Sequence, residues 1–138
     1  MAAQRNGLSI LLAVALAGCA PAPCLLPSQA PMTAITLYFG RGVPGGGQVS
    51  EAAWAAFAAD VITPRFPNGF TVFDAVGQWR GAAGAPIVHE ATKQVEIIIP
   101  NSERPEARAR LETIAAAYRT RFHQQSVGVF ATRGCGAF

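Results

Sequence analysis

Charge is scarce in this 138-residue chain: 14% of its residues are charged, with 11 basic and 8 acidic side chains and a formal net charge of +3. Nucleic-acid binding needs Lys and Arg clustered on one face, and no such cluster stands in the sequence, so no nucleic-acid partner is expected. Apolar runs long enough to span a bilayer, about 20 residues, are missing as well. Cysteine occurs three times, at Cys19, Cys24 and Cys135, and histidine twice, at His89 and His123. A metal site on the two histidines would need a third ligand, and no Asp, Glu or Cys is placed by spacing to supply one. Neither the G-x-x-x-x-G-K-[ST] phosphate cradle nor the G-x-S-x-G elbow is present. Ser28, Ser50, Ser102 and Ser126 all have turn or capping explanations. No catalytic residue, metal ligand or cofactor is therefore assigned. His89 and Glu90 are neighbours in an expected strand, so they point to opposite faces and form no acid–base pair. Asp74, across a hairpin from His89, is a candidate charge pair; the alternative is a surface histidine.

The N-terminus is richer. Arg5 precedes an uncharged apolar run from Leu8 to Ala17, which ends in Leu16-Ala17-Gly18-Cys19. A basic start, an apolar stretch of about ten residues and small residues at a cut site make a secretory signal, too short to cross a ~30 Å bilayer. With a cysteine directly after Leu-Ala-Gly, it resembles the signal of bacterial lipoproteins. The resemblance implies that residues 1–18 are removed, that the Cys19 thiol carries diacylglycerol, and that the new amine is acylated, by palmitate or a similar chain. The alternative is an ordinary signal in which Cys19 has no special role. A lipidated Cys19 would anchor the protein to the membrane of the cell envelope, several acyl chains holding more firmly than one. In such lipoproteins an aspartate after the cysteine is the usual inner-membrane retention signal. Ala20 stands there, which points to the periplasmic face of the outer membrane if the organism has one.

Ala20 to Pro31 carries four prolines and little charge, so residues 19–33 read as an extended tether and residues 34–138 as one domain. About 100 residues suffice for a core. Ile35 to Phe39 alternates as a strand and stops at Gly40. Ser50 caps a helix with Trp54, Phe57, Ala58, Val61 and Ile62 on one face, ended by Thr63-Pro64. A second strand runs from about Phe70 to Trp79, with Gly77 marking a bulge. A third runs from about Ile87 to Ile99, with Val95, Ile97 and Ile99 on one face and Glu96 and Ile98 on the other. Ser102 is the expected N-cap of a helix with Pro105 in its first turn and an apolar stripe of Ala107, Leu111, Ile114, Ala115, Tyr118 and Phe122. A short strand, Val127 to Thr132, precedes Cys135.

Strand, helix, strand, strand, helix, strand is the pattern of an α+β, ferredoxin-like two-layer sandwich. It predicts an antiparallel sheet of order 4-1-3-2 with both helices on one face. The start of strand one and the end of strand four then lie together. With lipid on Cys19, Cys24 and Cys135 remain, in a compartment where disulfides form. A Cys24–Cys135 disulfide is the expectation; two free thiols, with Cys24 loose on the tether, are the alternative.

Four segments stand out together. They are Leu37-Tyr38-Phe39-Gly40-Arg41, Val49-Ser50-Glu51 with Trp54 and Phe57, Thr63-Pro64-Arg65-Phe66-Pro67-Asn68-Gly69, and Gly77-Gln78-Trp79-Arg80-Gly81. Together they resemble the family called domain of unknown function 3574, small bacterial envelope proteins often carrying lipoprotein signals. The resemblance implies an envelope address and a domain boundary, and no activity.

The sheet end opposite the termini is expected to gather Arg41, the glycine loop Gly42 to Gly47, Trp79, Arg80 and His89, with His123, Gln124 and Gln125 nearby. A glycine loop entering a helix N-terminus can present N–H groups to an anion. Arg41, Gly46, Gly47, Trp79, Arg80 and His89 are accordingly the candidate ligand-binding residues, although any tight strand-to-helix loop needs glycines. Thr63 to Gly69 reads as a proline-fixed turn in which Arg65 holds helix carbonyls and Phe66 fills the core; the alternative gives Arg65 a ligand or a partner carboxylate. On the uncovered sheet face Tyr38, Ile98 and Phe130 form a candidate interface for a homodimer or an envelope partner. A one-residue shift in strand four would exchange Phe130 with Val129. The leading function is a non-enzymatic binding or interaction domain. The alternative is an enzyme or a small-anion-binding domain at the Arg41/Trp79/Arg80/His89 end.

Overall fold

The computed structural model describes residues 24–138; the signal segment, Cys19 and the tether as far as residue 23 lie outside the described residues. β1 (Ala30–Gly40) alternates as its sequence requires. Thr33, Ile35, Leu37 and Phe39 are buried, while Met32, Ala34, Thr36 and Tyr38 face the other way. The strand begins at Ala30, inside the segment read as tether, because β4 (Gly128–Gly136) continues far enough to pair with it. β4 is likewise longer than the Val127 to Thr132 expected and includes Cys135. Pro31 is tolerated in β1 because pairing with β3 (Val88–Pro100) reaches only to Met32, so no donor is required on that side.

Ser50 caps α1 (Glu51–Phe57), its hydroxyl accepting the Ala53 N–H at 3.1 Å. The helix then widens into a π-helical turn, Ala58–Ile62, closed by the Thr63 N–H donating to the Ala58 carbonyl at 2.9 Å. The wider turn brings Ile62 into the core with Phe57. Arg65 donates to the Val61 carbonyl at 2.8 Å, and Phe66 is buried. β2 (Thr71–Trp79) pairs with β3 in unbroken register, Thr71 opposite Glu96 through Trp79 opposite Val88. Gly77 is therefore not a bulge. A Cβ there would come within 2.8 Å of Thr92 Oγ1, so the glycine answers to close approach.

A short 3₁₀ turn, Asn101–Glu103, precedes α2 (Arg104–Phe122), and Glu103 rather than Ser102 occupies the cap position. The Asn101 carbonyl accepts the Arg104 N–H, and the Asn101 side chain accepts the Thr33 hydroxyl at 2.6 Å, so the entry to α2 is set by a contact with β1 that local spacing does not reveal. α2 ends at His123, which adopts the left-handed conformation at φ 55°.

All strand pairs are antiparallel and the sheet order is β2-β3-β1-β4, the expected 4-1-3-2 order read from the other edge. Both helices pack on the face carrying Ile35, Leu37, Phe39, Val95, Ile97 and Ile99. At the centre Tyr118 meets Phe39 and Phe57 edge-to-face, with ring centroids 4.8 and 5.0 Å apart. The Tyr118 hydroxyl donates to the Gly40 carbonyl at 2.9 Å, which makes burial of its polar end tolerable. Cys24 and Cys135 form a disulfide, with Cα atoms 5.7 Å apart, at the end of the sheet where β1 starts and β4 stops. Among the described residues no helix is long and apolar enough to cross a membrane.

Candidate functional site: a groove on the uncovered sheet face

At the sheet end far from the disulfide the candidate residues part company. Arg41 follows β1 on the helix-covered side and is buried; its Nε and Nη2 donate to the Val49 carbonyl at 2.8 and 2.5 Å, and its Nη1 pairs with Glu51. That guanidinium is engaged within the fold. Gly46 and Gly47 form the tip of a tight turn, closed by Val43 N–H to Gly47 carbonyl, and their φ values of 104° and 87° explain the glycines without a ligand. Arg80 is exposed beyond β2 and lies outside the groove described below. Only Trp79 and His89 of the candidate set line that groove, so the six residues do not converge on it together. The first turn of α1 carries Glu51, whose charge further disfavours an anion there.

Glu51 belongs to a charged cluster that the sequence did not announce. Lys93, the single lysine of the chain, is buried on the helix-covered face of β3 and pairs with Asp74 and with Glu51, the latter at 2.8 Å. Asp74 stands opposite Lys93 in the β2–β3 register, and His89 stands opposite Gln78, which replaces the expected Asp74–His89 pair. The hydrogen bond that Lys93 donates to Asp74, and then the one it donates to Glu51, raises the pKa of its ammonium above the ordinary value. Glu51 is held below its ordinary value, first by Lys93 and then by Arg41 against a cost of burial. Burial pushes the Tyr118 phenol well above its ordinary value, opposed by the positive charge of Arg41 and aided slightly by the negative charge of Glu90.

Glu90 is the residue around which the uncovered face is organised. It lies on the opposite side of β3 from His89, where glycines replace side chains on both neighbouring strands. A Cβ at Gly40 would come within 2.6 Å of the Glu90 carboxylate and one at Gly42 within 2.9 Å. The side chain therefore lies in a notch over β1, and its Oε2 accepts the Gly42 N–H at 2.9 Å. Gly77 and Gly128 lower the flanking strands in the same way, a Cβ at Gly128 approaching the Tyr38 ring at 3.3 Å. The result is a groove of about 560 Å³. Glu90 and Thr92 lie in its floor, Tyr38 and Trp79 stand as walls, and Pro44, His123, Gln124 and Ser126 form a rim. Gln124 fixes the rim, its amide donating to the Gly42 carbonyl at 2.5 Å. Glu90 makes no ion pair within 4.0 Å among the described residues.

Two further surfaces complete the picture. An apolar crevice of about 330 Å³ lies between α2 and the strands it leaves partly uncovered, lined by Ile35, Ile99, Ala107, Leu111, Val129 and Ala131. Thr33, Arg104, Arg108 and Glu112 also line it, Arg108 and Glu112 being paired with each other at 2.9 Å. Across the uncovered sheet face Tyr38, Ile98 and Phe130 are 44%, 38% and 63% exposed. Phe130 pairs with Thr36, which fixes the expected phase of β4 and leaves Val129 opposite Leu37. Among the described residues no three His, Cys, Asp or Glu side chains converge to hold a metal ion.

These features define a class: an α+β two-layer domain whose antiparallel sheet carries helices on one face and a glycine-floored groove on the other. The chain belongs to the family described as Protein of unknown function (DUF3574), whose model matches residues 34–138. No curated protein matches the chain. Among solved structures it is similar to a phage SAM lyase in complex with S-methyl-5'-thioadenosine, at 14% identity and a TM-score of 0.60, covering 78% of this chain and 90% of that one. It is also similar to a phage SAM lyase in the apo state, at 17% identity and a TM-score of 0.48, with 78% and 83% covered. At these identities the likeness is one of fold.

Proposed function

We propose that this chain is a lipid-anchored envelope protein whose ferredoxin-like domain is a binding module, with the groove around Glu90 as its ligand site. The observation that carries the reading is the glycine cluster. Gly40, Gly42, Gly77 and Gly128 come from three strands and from widely separated positions, yet all clear one space on one face. Glycine within a strand weakens it, so such a cluster calls for a close approach. The volume lies within the ~300–1,000 Å³ range of small-molecule sites. The anchor at Cys19 rests on the lipoprotein-like signal, and the tether leaves the domain at the disulfide end. The groove, at the other end of β1, then faces away from the membrane.

A second reading is self-association through Tyr38, Ile98 and Phe130, supported by their shared exposure on the same face. The shared fold makes S-methyl-5'-thioadenosine a sensible first probe of the groove.

The test uses the full chain extracted from its native membrane in mild non-ionic detergent. Native mass spectrometry is expected to find a monomer carrying a small molecule that is absent from a Gly128→Leu variant of unchanged unfolding midpoint. A monomer that carries nothing and takes up no probe would overturn the groove reading. A dimer dissociated by Phe130→Ser would favour self-association. Cys19→Ser is expected to move the protein out of the detergent phase, and unchanged partition would overturn the anchor.

A further inference from the structure

We infer that the ligand of the Glu90 groove is a small organic cation with a flat apolar part, and that Glu90 is the group that recognises its charge. The inference rests on the groove being a ligand site and goes on to name the chemistry of the ligand.

The site is built around one carboxylate. Glu90 is half-buried and its only hydrogen-bond donor among the described residues is the Gly42 N–H. A carboxylate withdrawn from water without a cation carries a desolvation cost that a bound cation would offset. Two basic residues on neighbouring positions are already engaged on the helix-covered side, Arg41 by Val49 and Glu51 and Lys93 by Asp74 and Glu51. The carboxylate is also held in place. The notch at Gly40 and Gly42 fixes its position, so little ordering is required when a ligand arrives.

The walls argue against a bare metal ion and for an organic one. Trp79 is the diagonal neighbour of Glu90 across the β2–β3 register, two residues beyond Gly77, and Tyr38 forms the far wall. Aromatic faces beside a carboxylate are the two components that hold alkylammonium and related cations. Thr92, also in the floor, supplies a hydroxyl for a polar part of the ligand.

The experiment takes the full chain in non-ionic detergent and three probes of similar size: benzyltrimethylammonium as cation, benzyl alcohol as neutral analogue and phenyl phosphate as anion. Binding is read from the fluorescence of Trp79, assigned with a Trp79→Phe variant, since Trp54 is buried in the core. The cation is expected to bind at least tenfold more tightly than either other probe. Glu90→Gln retains an acceptor for the Gly42 N–H while removing the charge, and is expected to weaken cation binding at least tenfold at an unchanged unfolding midpoint. If benzyl alcohol or phenyl phosphate binds as well as the cation, or Glu90→Gln leaves cation affinity unchanged, the cation assignment falls and the groove reading stands. If no probe binds, both fall.

Discussion

The two faces of the sheet are made by the same strands and solve opposite problems. On the covered face every second residue of β1 is a large apolar side chain or Thr33, and both helices close over it with Trp54, Phe57, Ile114 and Tyr118. On the open face the same strands present glycines, polar residues and scattered apolar and aromatic side chains, with a carboxylate laid in a glycine notch. The covered face is redundant, with many contacts sharing the load. The open face is sparse, and its few features depend on single residues. This difference separates stability from recognition: a change on the first face should unfold the protein, and one on the second should alter what it binds.

The largest expected effect comes from breaking the covered face. Phe57→Ala removes a fully buried ring that contacts Phe39, Trp54, Tyr118 and Phe122, and should lower unfolding free energy by about 3–5 kcal/mol. Phe130→Ser on the open face should change it by less than about 0.5 kcal/mol, the usual range for an exposed site. Denaturant unfolding of both variants measures the contrast, and equal losses would mean that the open face is covered in solution.

Next is the disulfide, which closes a sequence separation of 111 residues and belongs to neither face. Cys135→Ser should cost about 2–5 kcal/mol while leaving probe binding in the groove intact, because Glu90 lies at the far end of β1. A loss of binding at unchanged fold would show that the two ends are coupled.

The smallest effect is on pH. Lys93 and Tyr118 both have folded-state pKa values above their ordinary 10.5 and 10.0. Their contribution to stability is therefore complete below about pH 10 and declines as pH rises further, since the unfolded chain loses those protons first. Glu51 acts in the other direction: held below 4.5, it contributes above that value and its contribution fades as pH falls. Being exposed, it should contribute less, so the unfolding midpoint should drop more at the alkaline end. Tyr118→Phe should flatten that alkaline decline, and an unchanged profile would remove the phenol from the account.

Much of the fold was legible because it is locally encoded. The alternation of Ile35, Leu37 and Phe39, the stripe from Ala107 to Phe122 and the cap at Ser50 each follow from spacing within a few residues. The strand ends were not. Ala30 and Pro31 became strand because Gly136 and Cys135 lie opposite, a pairing across nearly the whole domain. Ser102 lost the cap position because Asn101 engages Thr33, 68 residues away.

The candidate site was half legible. Trp79 and His89 line the groove at the sheet end that the element order indicates, whereas a basic side chain beside a glycine loop need not face a ligand. Arg41 instead folds inward onto Val49 and Glu51. Alternation along the strand separates Glu90 from His89 but says nothing of the glycines that stand against it. Those glycines supplied the available signal, since Gly40, Gly42, Gly77 and Gly128 all belong to or border strands where glycine is disfavoured.

Sequence by itself determined which residues of each strand share a face, because side chains alternate along a strand, and it determined the order of elements from which the sheet could be drawn. Tertiary structure decided which residues stand opposite one another. Gly42 and Glu90 are separated by 48 positions and meet through strand pairing, and the space they create exists only once that register is set. Short-range periodicity encodes the layers of this domain, and long-range register makes its groove.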